Sequence, residues 1–362
     1  MAGPPEAVSC GEMSVYLTDV RRYGISLLFA TGSSKHLEML QQRAADRGMT
    51  LTPEGLLRRR KIVAAGSEVE IYQALGLQYI EPELREGLDE IERAAANSIP
   101  PLVMAADLLG VLHAHSTASD GVDTLEAMAQ ASLAHGYQYI GITDHSRTAH
   151  YAGGLTVEDI EQQQAEIDRL NAAFGGRFRI FKGIESDILP DGSLDYPDDV
   201  LRHFDFIIGS IHGQFRLDRQ AQTERLVRAA SNPFTTVIGH MTGRQLLRRP
   251  GYDLDIERVL ATCAEHGVAV EVNGNPWRLD LDWRWLRRGI ELGCNFSINP
   301  DAHSTGEIVS STRWGLAIAR KSGMPADRVI NTLDADSFAR WLQARKERKS
   351  PRLAPTRKPQ PA

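Results

Sequence analysis

The stretch Val111-Leu112-His113-Ala114-His115-Ser116, followed by Ser119-Asp120-Gly121, decides the fold of this chain. A short apolar run ends in two histidines one residue apart, and because side chains alternate along an extended chain, both imidazoles point to the same side. One metal ion could take both, with Asp120 within reach on the following turn. Alone, the pair is equally compatible with a chance H-x-H on an exposed strand, so its interpretation depends on partners elsewhere in the chain.

Short apolar runs alternate with amphipathic helices from Asp107 onward. The predicted strands lie at 108–112, 139–142, 178–184, 206–211, 236–238, 268–272 and 295–298. The predicted helices lie at 124–135, 157–174, 220–230, 256–265, 283–292 and 312–321. Seven strand–helix repeats in about 200 residues favour a closed parallel α/β barrel, and an open doubly wound sheet is the alternative.

Histidines and carboxylates fall at or just after the ends of these predicted strands. The nine residues are His113, His115, Asp120, His145, Glu185, His212, His240, Asp301 and His303. The carboxyl ends of barrel strands share one rim, where barrel active sites are assembled, so we expect these side chains to converge. Imidazole with carboxylate suits Zn²⁺, Mn²⁺ or Fe²⁺, and nine ligands exceed the needs of one ion, so two or three ions are expected.

A site with several metal ions suits in-line displacement at phosphorus, because the ions bridge phosphate oxygens, lower the pKa of water and offset charge on the leaving oxygen. The sequence has neither a G-x-S-x-G nucleophile elbow nor a P-loop, which disfavours acyl transfer and nucleoside-triphosphate switching. The remaining histidines are expected to be ordinary structural or surface residues: His36, His135, His150, His203 and His266.

A first unit is expected at 13–106, after a flexible lead over 1–12. It contains a predicted strand at 25–29, a helix that Ser33 caps, and a helix over 68–75 that ends at Gly76. Ile99-Pro100-Pro101 is typical of a stiff linker before the second unit, 107–345. A short strand over 328–330 and a final helix precede a basic, proline-rich tail, 346–362, that is expected to be disordered.

Composition narrows the class of protein. The chain has 362 residues, 42% hydrophobic and 24% charged, ordinary values for about two to three globular domains. A formal charge of -6 argues against a generic polyanion binder but is compatible with local basic patches. Three cysteines without C-x-x-C, no apolar stretch of membrane length and no signal-peptide pattern predict a cytoplasmic protein with no membrane association.

The strand-end motifs together resemble a known family. The chain resembles the PHP (polymerase and histidinol phosphatase) domain in a series of motifs that occur in this order: H-x-H…S-D-G, T-D-H, G-I-E, S-I-H, G-H and D-A-H. Longer strings at 239–244, 248–252 and 271–281 narrow the resemblance to the C-terminal part of bacterial family X DNA polymerases, and those at 29–33, 71–77 and 79–86 resemble their thumb and linker. The resemblance implies a distorted (β/α)7 TIM-like barrel, the PHP fold, preceded by a small α+β thumb-like domain.

The resemblance also implies how the nine residues divide among three divalent ions, commonly Mn²⁺ or Zn²⁺, with Fe²⁺ as a further candidate. The first ion would be held by His113, His115, Glu185 and Asp301, which would carry catalysis. Glu185 would bridge to a second ion, held by His212 and His240. The third ion would be held by Asp120, His145 and His303. The activity it implies is that of a metal-dependent phosphoesterase in DNA repair, a 3′-5′ exonuclease or an abasic-site endonuclease, with DNA ends or damaged sites as substrate.

The sequence departs from those polymerases ahead of the thumb, where the helix-hairpin-helix region, fingers and palm are not found. Asp253-Leu254-Asp255, which invites comparison with the metal-binding pair of a palm, precedes a helix, where Asp is a common cap. DNA synthesis is therefore not expected, and a separate polymerase chain is a candidate partner.

Arginines after the fifth and sixth strands are candidate substrate-binding residues: Arg244, Arg248, Arg249 and Arg278. Guanidinium groups suit phosphate oxygens, although surface ion pairs would explain these residues equally well. Arg58-Arg59-Arg60-Lys61 is a second basic patch that could contact a DNA backbone.

Three functions remain open: a DNA nuclease, which the thumb-like unit favours; a small-molecule phosphatase of the histidinol phosphatase type; and a non-catalytic module that docks onto DNA or a polymerase.

Overall fold

The chain divides into two compact units after Pro101, at the end of the Ile99-Pro100-Pro101 linker. The reason is that Leu102 and Val103 already belong to the second unit. Leu102 pairs with Pro325, and the N–H of the fully buried Val103 donates to the carbonyl of Met324 at 2.9 Å. The computed structural model describes residues 7–10 and 13–349.

The first unit is a small α+β unit, as the sequence predicts. Its strands are β1 (Ala7–Cys10), β2 (Met13–Tyr16), β3 (Thr50–Thr52), β4 (Gly55–Arg58) and β5 (Lys61–Ala64). Its helices are α1 (Tyr23–Thr31), α2 (Ser34–Asp46), α3 (Glu68–Ala74) and α4 (Glu90–Ala95). β1 and β2 form an antiparallel hairpin, and β3 to β5 form an antiparallel sheet. Ala7–Cys10 of the expected lead thus pair with Met13–Tyr16, and the rest of that lead lies outside the described residues.

The predicted strand at 25–29 is wrong, because these residues lie in α1. Ile25 and Leu28 are three residues apart, so they share one face of the helix, and both are fully buried. A five-residue apolar run does not by itself distinguish a strand from a buried turn of helix. The cap at Ser33 is confirmed, since its hydroxyl accepts from the N–H of His36 at 3.1 Å.

The second unit alternates strands with helices from residue 110 onward. Its strands are β6 (Gly110–Val111), β7 (Tyr139–Ile142), β8 (Arg179–Asp187), β9 (Phe206–Ser210), β10 (Val237–Ile238), β11 (Ala269–Asn273) and β12 (Asn295–Asn299). Its helices are α5 (Leu125–Ala134), α6 (Val157–Phe174), α7 (Asp198–Leu201), α8 (Arg219–Ser231), α9 (Ile256–His266), α10 (Trp283–Leu292), α11 (Glu307–Lys321) and α12 (Ala335–Lys349). β8 and α11 are longer than the sequence predicted.

The seven strands form one parallel sheet in which spatial order follows chain order from β6 to β12. An open doubly wound sheet would reverse its strand order at one point, and this sheet does not. The segments just after β6 and β12 meet: the N–H of His115 donates to the carbonyl of Ala302 at 2.8 Å, and the N–H of Ala302 donates to that of His113 at 3.2 Å. The sheet is therefore a nearly closed barrel.

α12 fills the amino-terminal end of the barrel. Phe338 lies parallel to Tyr139 with ring centroids 5.3 Å apart, and its edge-on neighbour Phe181 is 5.0 Å away. The predicted strand at 328–330 is wrong, because this region forms two short 3₁₀ turns. Strand pairing there is reduced to one bridge between Val329 and Phe296, and the side-chain amide of Asn331 adds hydrogen bonds to the backbone of both Ile298 and Gly110. Residues 350–362 of the predicted tail lie outside the described residues.

Within the described part of the chain, none of the helices has the length and apolar character needed to span a bilayer.

Candidate metal centre

All nine residues predicted at the strand ends lie together at the carboxyl end of the barrel. Glu185 is at their centre, because β8 extends beyond its predicted end and brings this carboxylate into the barrel mouth, where it is 1% exposed. Five imidazoles surround it. The nearest ring nitrogens lie at 2.9 Å (His240 Nε2), 3.0 Å (His145 Nδ1), 3.2 Å (His212 Nε2), 3.4 Å (His113 Nε2) and 3.7 Å (His115 Nε2) from its oxygens.

Two further carboxylates complete this nine-residue cluster. Oδ1 of Asp301 lies 3.5 Å from Nε2 of His113 and 3.4 Å from Nε2 of His115. Asp120 lies 3.5 Å from Nε2 of His145 and 3.4 Å from Nε2 of His303. A carboxylate therefore lies beside every imidazole of the cluster.

Three groups within the cluster have ligand atoms close enough together to share one ion. They are His113, His115 and Asp301; His145, Glu185 and His212; and His115, Asp120, His145 and His303. His115 and His145 each occur in two groups, so the groups are contiguous. The arrangement can hold more than one ion, and the division into three ligand sets implied by the family resemblance is one way to occupy it.

The chemistry of the donor set fits metal ions. Buried ring nitrogens of five of the histidines make no hydrogen bond of normal geometry among the described residues, although carboxylate oxygens lie close to several of them: Nε2 of His113, both nitrogens of His115, Nδ1 of His145, Nε2 of His212 and Nδ1 of His240. A buried polar atom without a partner destabilises the fold, by about 1–3 kcal/mol. Coordination to a cation would satisfy such nitrogens, and the adjacent carboxylates would balance its charge.

The pKa values in the cluster are strongly coupled. Burial raises the pKa of Glu185, but the surrounding imidazoles, His212 first among them, outweigh burial and hold that pKa well below its ordinary value. In return, Glu185 raises the pKa of His212 to about 9 against the opposing effect of burial. Against the opposing effect of burial, the hydrogen bond that the His303 imidazolium donates to Asp120 likewise raises the pKa of His303 to about 9. Burial and the neighbouring His145 lower the pKa of His115 to about 4. Without metal, the cluster thus combines ionised carboxylates with partly protonated imidazoles.

Two carboxylates that the sequence analysis missed orient His113 and His212 by contacting the ring nitrogen that faces away from Glu185. Oε1 of Glu271 lies 2.5 Å from Nδ1 of His113, and Asp187 makes a short contact with Nδ1 of His212. A carboxylate on one ring nitrogen fixes the other as the metal-facing atom and makes it more basic. A usable signal existed for Asp187, because it follows Glu185 by two residues in β8 and therefore faces the same side of the strand.

Tyr151 is a further residue that the sequence analysis did not identify. Its ring centroid lies 6.1 Å from that of His145 and 6.4 Å from that of His212, and the residue is 72% exposed. An exposed phenol at the mouth of the cluster could contact a molecule that enters it.

The four candidate arginines differ in their contacts. Nε of Arg278 lies 3.2 Å from Oδ2 of Asp301, which places this side chain at the cluster. Arg244 donates to the carbonyls of Arg278 and Leu279, so its guanidinium supports that loop. Arg249 lies over the ring of Phe215, and Arg248 lies over the ring of Trp277 with 3.9 Å between Cζ and the ring centroid.

Two family models match the chain. The model of the DNA polymerase beta thumb matches residues 26–86, and the model of the PHP domain matches residues 112–275. The second match contains His113 through His240 of the cluster, while Asp301 and His303 lie beyond it.

Curated relatives fall into two groups. A protein described as DNA polymerase/3′-5′ exonuclease PolX, from Bacillus subtilis, is 40% identical over 329 residues, which are 90% of this chain and 57% of the relative. The chain thus spans little more than half the length of that relative. A protein described as a probable phosphatase, from Caldanaerobacter subterraneus subsp. tengcongensis, is 27% identical over 65% of this chain and 91% of the relative. Another probable phosphatase, from Vibrio campbellii, is 30% identical over 46% of this chain and 67% of the relative.

Among solved structures, a histidinol phosphate phosphatase from Lactococcus lactis, crystallised with zinc, L-histidinol and phosphate, matches with a TM-score of 0.48 and 21% identity. The match covers 60% of this chain and 95% of the phosphatase chain.

Proposed function

Because the chain belongs to the PHP domain family of hydrolases and carries a DNA polymerase beta thumb region, we propose that it is a multimetal phosphoesterase that hydrolyses DNA phosphodiesters. We propose 3′-5′ exonuclease activity in the first place, and abasic-site endonuclease activity as a second reaction of the same centre. The observation that carries the proposal is the position of Glu185, whose carboxylate lies within 3.7 Å of five imidazoles.

The nine-residue cluster would hold two or three divalent ions, Mn²⁺ or Zn²⁺ by ligand type, with Fe²⁺ also suited. We propose that the first ion would be held by His113, His115, Glu185 and Asp301. Glu185 would be shared with a second ion, which His212 and His240 would also hold. A third ion would be held by Asp120, His145 and His303. Ions bound in this way lower the pKa of water and offset negative charge on a phosphate.

The side chains around the cluster would position the substrate. Nε of Arg278 is held by Asp301, which leaves the other N–H groups of its guanidinium to bind a non-bridging phosphate oxygen. Tyr151, exposed at the mouth, could donate its hydroxyl to a second oxygen. Glu271 and Asp187 would keep His113 and His212 in the orientation and tautomer that ligation requires.

Two observations favour DNA over a small ester. The first is the 40% identity to a protein whose name includes 3′-5′ exonuclease, across nearly the whole chain. The second is the tip of the β4–β5 hairpin, where Arg59 and Arg60 form a two-residue turn with φ of 51° and 66°. Such turns favour Asn-Gly, so an Arg-Arg pair is unusual there, and it projects two cations from a unit of the thumb type. Backbone phosphates are the ligands that such cations suit.

A small-molecule phosphatase of the histidinol phosphatase type is the second candidate. The probable phosphatases among the relatives favour it, since their matches of 259 and 176 residues are longer than the first unit and so include part of the barrel unit. A non-catalytic module that docks onto DNA or a polymerase is less well supported, because docking gives no reason for nine converging ligand side chains.

One experiment separates these functions. Metal-loaded protein is incubated with end-labelled single-stranded DNA, an abasic duplex and histidinol phosphate, each at low and high salt. We expect shortening of the DNA from its 3′ end, with rates that fall steeply as salt rises, because phosphate contacts release counterions. Hydrolysis of histidinol phosphate alone, with little salt dependence, would favour the phosphatase, and no hydrolysis would favour the docking module.

Glu185→Ala is the matched negative variant, since it removes the carboxylate that the imidazoles share. Glu291→Ala is its control, because Glu291 is an exposed carboxylate that pairs with Arg288 on α10. Wild-type turnover by the Glu185 variant would contradict the proposed centre.

A further inference from the structure

Beside the cluster, two loops of the barrel rim expose large side chains that the chemistry described above does not use. Leu247 is fully solvent-exposed and Trp277 is 48% exposed. Leu247 also has a φ of 62°, a left-handed conformation that bulky residues seldom adopt. A strained backbone that holds an apolar side chain in water points to a binding role, because neither the strain nor the exposure stabilises the fold.

The two loops are joined rigidly. Gln245 and Arg249 exchange backbone hydrogen bonds at 2.9 and 2.8 Å, so residues 246–248 form a tight hairpin tip. The N–H of Leu246 donates to the carbonyl of Trp277 at 2.6 Å, and the guanidinium of Arg248 covers one face of the Trp277 ring at 3.9 Å. The aromatic ring is therefore pre-positioned, with an apolar neighbour at the tip of the same hairpin.

The position of this surface relative to the cluster is set by short chain connections. Trp277 is followed directly by Arg278, whose Nε lies 3.2 Å from Asp301. At the base of the hairpin, the N–H and hydroxyl of Thr242 both donate to Asp280, at 2.9 and 2.8 Å, and Thr242 is two residues after His240. A strand with a phosphate at Arg278 would therefore pass close to Trp277, the preceding residue of the same loop.

The charge of the two loops suits a polyanion. Residues 241–252 and 274–279 contain four arginines and no Asp or Glu, in a chain with a formal charge of -6. Cations interleaved with exposed aromatic rings are the elements with which proteins bind single-stranded nucleic acid, by stacking on bases while arginines contact the backbone.

We propose that Leu247, Arg248 and Trp277 form a nucleobase-stacking platform that holds an unpaired base of a single-stranded nucleic acid next to the hydrolytic centre. The proposal rests on the proposed function and specifies its substrate as a strand whose terminal bases are unpaired. It also gives Arg248 a different role from the phosphate contact that the sequence suggested, since its guanidinium plane is already stacked on the ring.

Binding of non-hydrolysable strands to the metal-loaded protein tests this platform. The first probe is a fluorescently labelled phosphorothioate oligothymidylate of about 12 nucleotides, within the span that one single-strand site covers. The second probe has the same length and charge but carries abasic units, so it has phosphates without bases. Anisotropy titrations at one fixed salt concentration give the Kd for each probe.

Trp277→Ala is compared with Trp314→Ala. Trp314 is a matched control because it is 45% exposed and also carries an arginine, Arg313, over its ring, but it lies within helix α11. We expect Trp277→Ala to raise the Kd for the thymidylate roughly tenfold, the effect of losing one base stack, and to leave the Kd for the abasic strand unchanged. Trp314→Ala should change neither. Trp277→Phe, which keeps an aromatic face, should retain most of the affinity and serves as the test if the alanine variant does not fold.

Several results would overturn the platform. The first is an equal Kd for the thymidylate in the Trp277→Ala and Trp314→Ala variants. The second is an equal rise in the Kd for both probes on Trp277→Ala. The third is a wild-type protein with the same Kd for the two probes. The result is also separable from the proposed function. Base-dependent binding through Trp277 in a protein that hydrolyses only small monoesters would support the platform and contradict the DNA phosphodiesterase, whereas DNA hydrolysis without base-dependent binding would contradict the platform alone.

Discussion

Nδ1 of His113 lies 2.5 Å from Oε1 of Glu271, and this buried pair directs the other ring nitrogen of His113 toward Glu185, at 3.4 Å. The other carboxylate oxygen of Glu271, Oε2, accepts a hydrogen bond from the backbone N–H of His240 at 2.6 Å. One carboxylate therefore sets the position of two histidines of the cluster. Glu271 contributes no atom to the three ligand groups, yet the geometry of those groups depends on it.

Glu271→Gln should therefore weaken metal binding about 10- to 100-fold, the usual effect of losing a carboxylate behind a ligating histidine. The amide nitrogen of Gln cannot accept a hydrogen bond, so either His113 or His240 loses its partner. Competition with a chelating dye measures the affinity, and Glu291→Gln on the surface of α10 is the control. Equal affinities in the two variants would show that the pair does not orient the ligand.

Arg278→Ala should raise the KM for DNA by roughly tenfold, the effect of losing one charge-assisted contact to phosphate, while the metal content stays at the wild-type level. Arg278 contacts Asp301 through Nε, but Asp301 also keeps His113 and His115 within 3.5 Å. Elemental analysis and steady-state kinetics on the same preparation test this expectation. A parallel loss of metal would argue against a substrate role, and Arg284→Ala, an exposed arginine paired with Asp282, is the control.

The metal-free protein should lose stability as the pH rises from about 6.5 to about 9. His212 and His303 have folded-state pKa values of about 9, above the unfolded value. Their protonation therefore stabilises the fold fully below the unfolded pKa, and this contribution is lost as the pH passes through the folded pKa. Thermal melts of chelator-treated protein across this range measure the effect.

Metal binding should remove this dependence, because ligation requires neutral imidazole and displaces those protons. Metal-loaded protein should melt at a nearly constant temperature over the same range and should lose metal and activity below about pH 6. A metal-free protein whose stability is constant to about pH 9, or activity that is flat down to about pH 5, would contradict the protonation states assigned to the cluster.

Phe338→Ala should destabilise the second unit by about 3–5 kcal/mol, the range for a large buried aromatic side chain. The residue is fully buried and packs against Tyr139 and Phe181 at the amino-terminal end of the barrel. Urea denaturation measures the loss, and Val309→Ala, at a position 39% exposed on α11, should change stability by no more than about 0.5 kcal/mol. A loss under about 1 kcal/mol would mean that α12 does not close the barrel.

The sequence predicted the barrel and the convergence of the nine residues for one physical reason. In a parallel barrel every strand ends at the same rim, so a ligand residue that follows an apolar run is placed by the strand alone. β7 and α6 have the predicted bounds, and the prediction that Glu185 lies close to the His113 and His115 pair is confirmed at 3.4 and 3.7 Å.

Other features depend on contacts that a pattern does not contain. The apolar run at 25–29 fits a strand or a buried helix equally well, and packing of Ile25 and Leu28 decides for the helix. Glu271 lies inside a strand, where a carboxylate has no apparent use until His113 is seen beside it. The stacking of Arg248 on Trp277 joins two loops 29 positions apart in the chain, and only the folded rim brings them together.

The most direct test of the metal centre is anomalous diffraction from crystals of the protein grown with zinc. We predict at least two ions within about 2.0–2.2 Å of Glu185 carboxylate oxygens, with His113 and His212 ligating different ions. Diffraction that places no ion within about 4 Å of Glu185, in crystals with zinc bound elsewhere, would contradict the central claim.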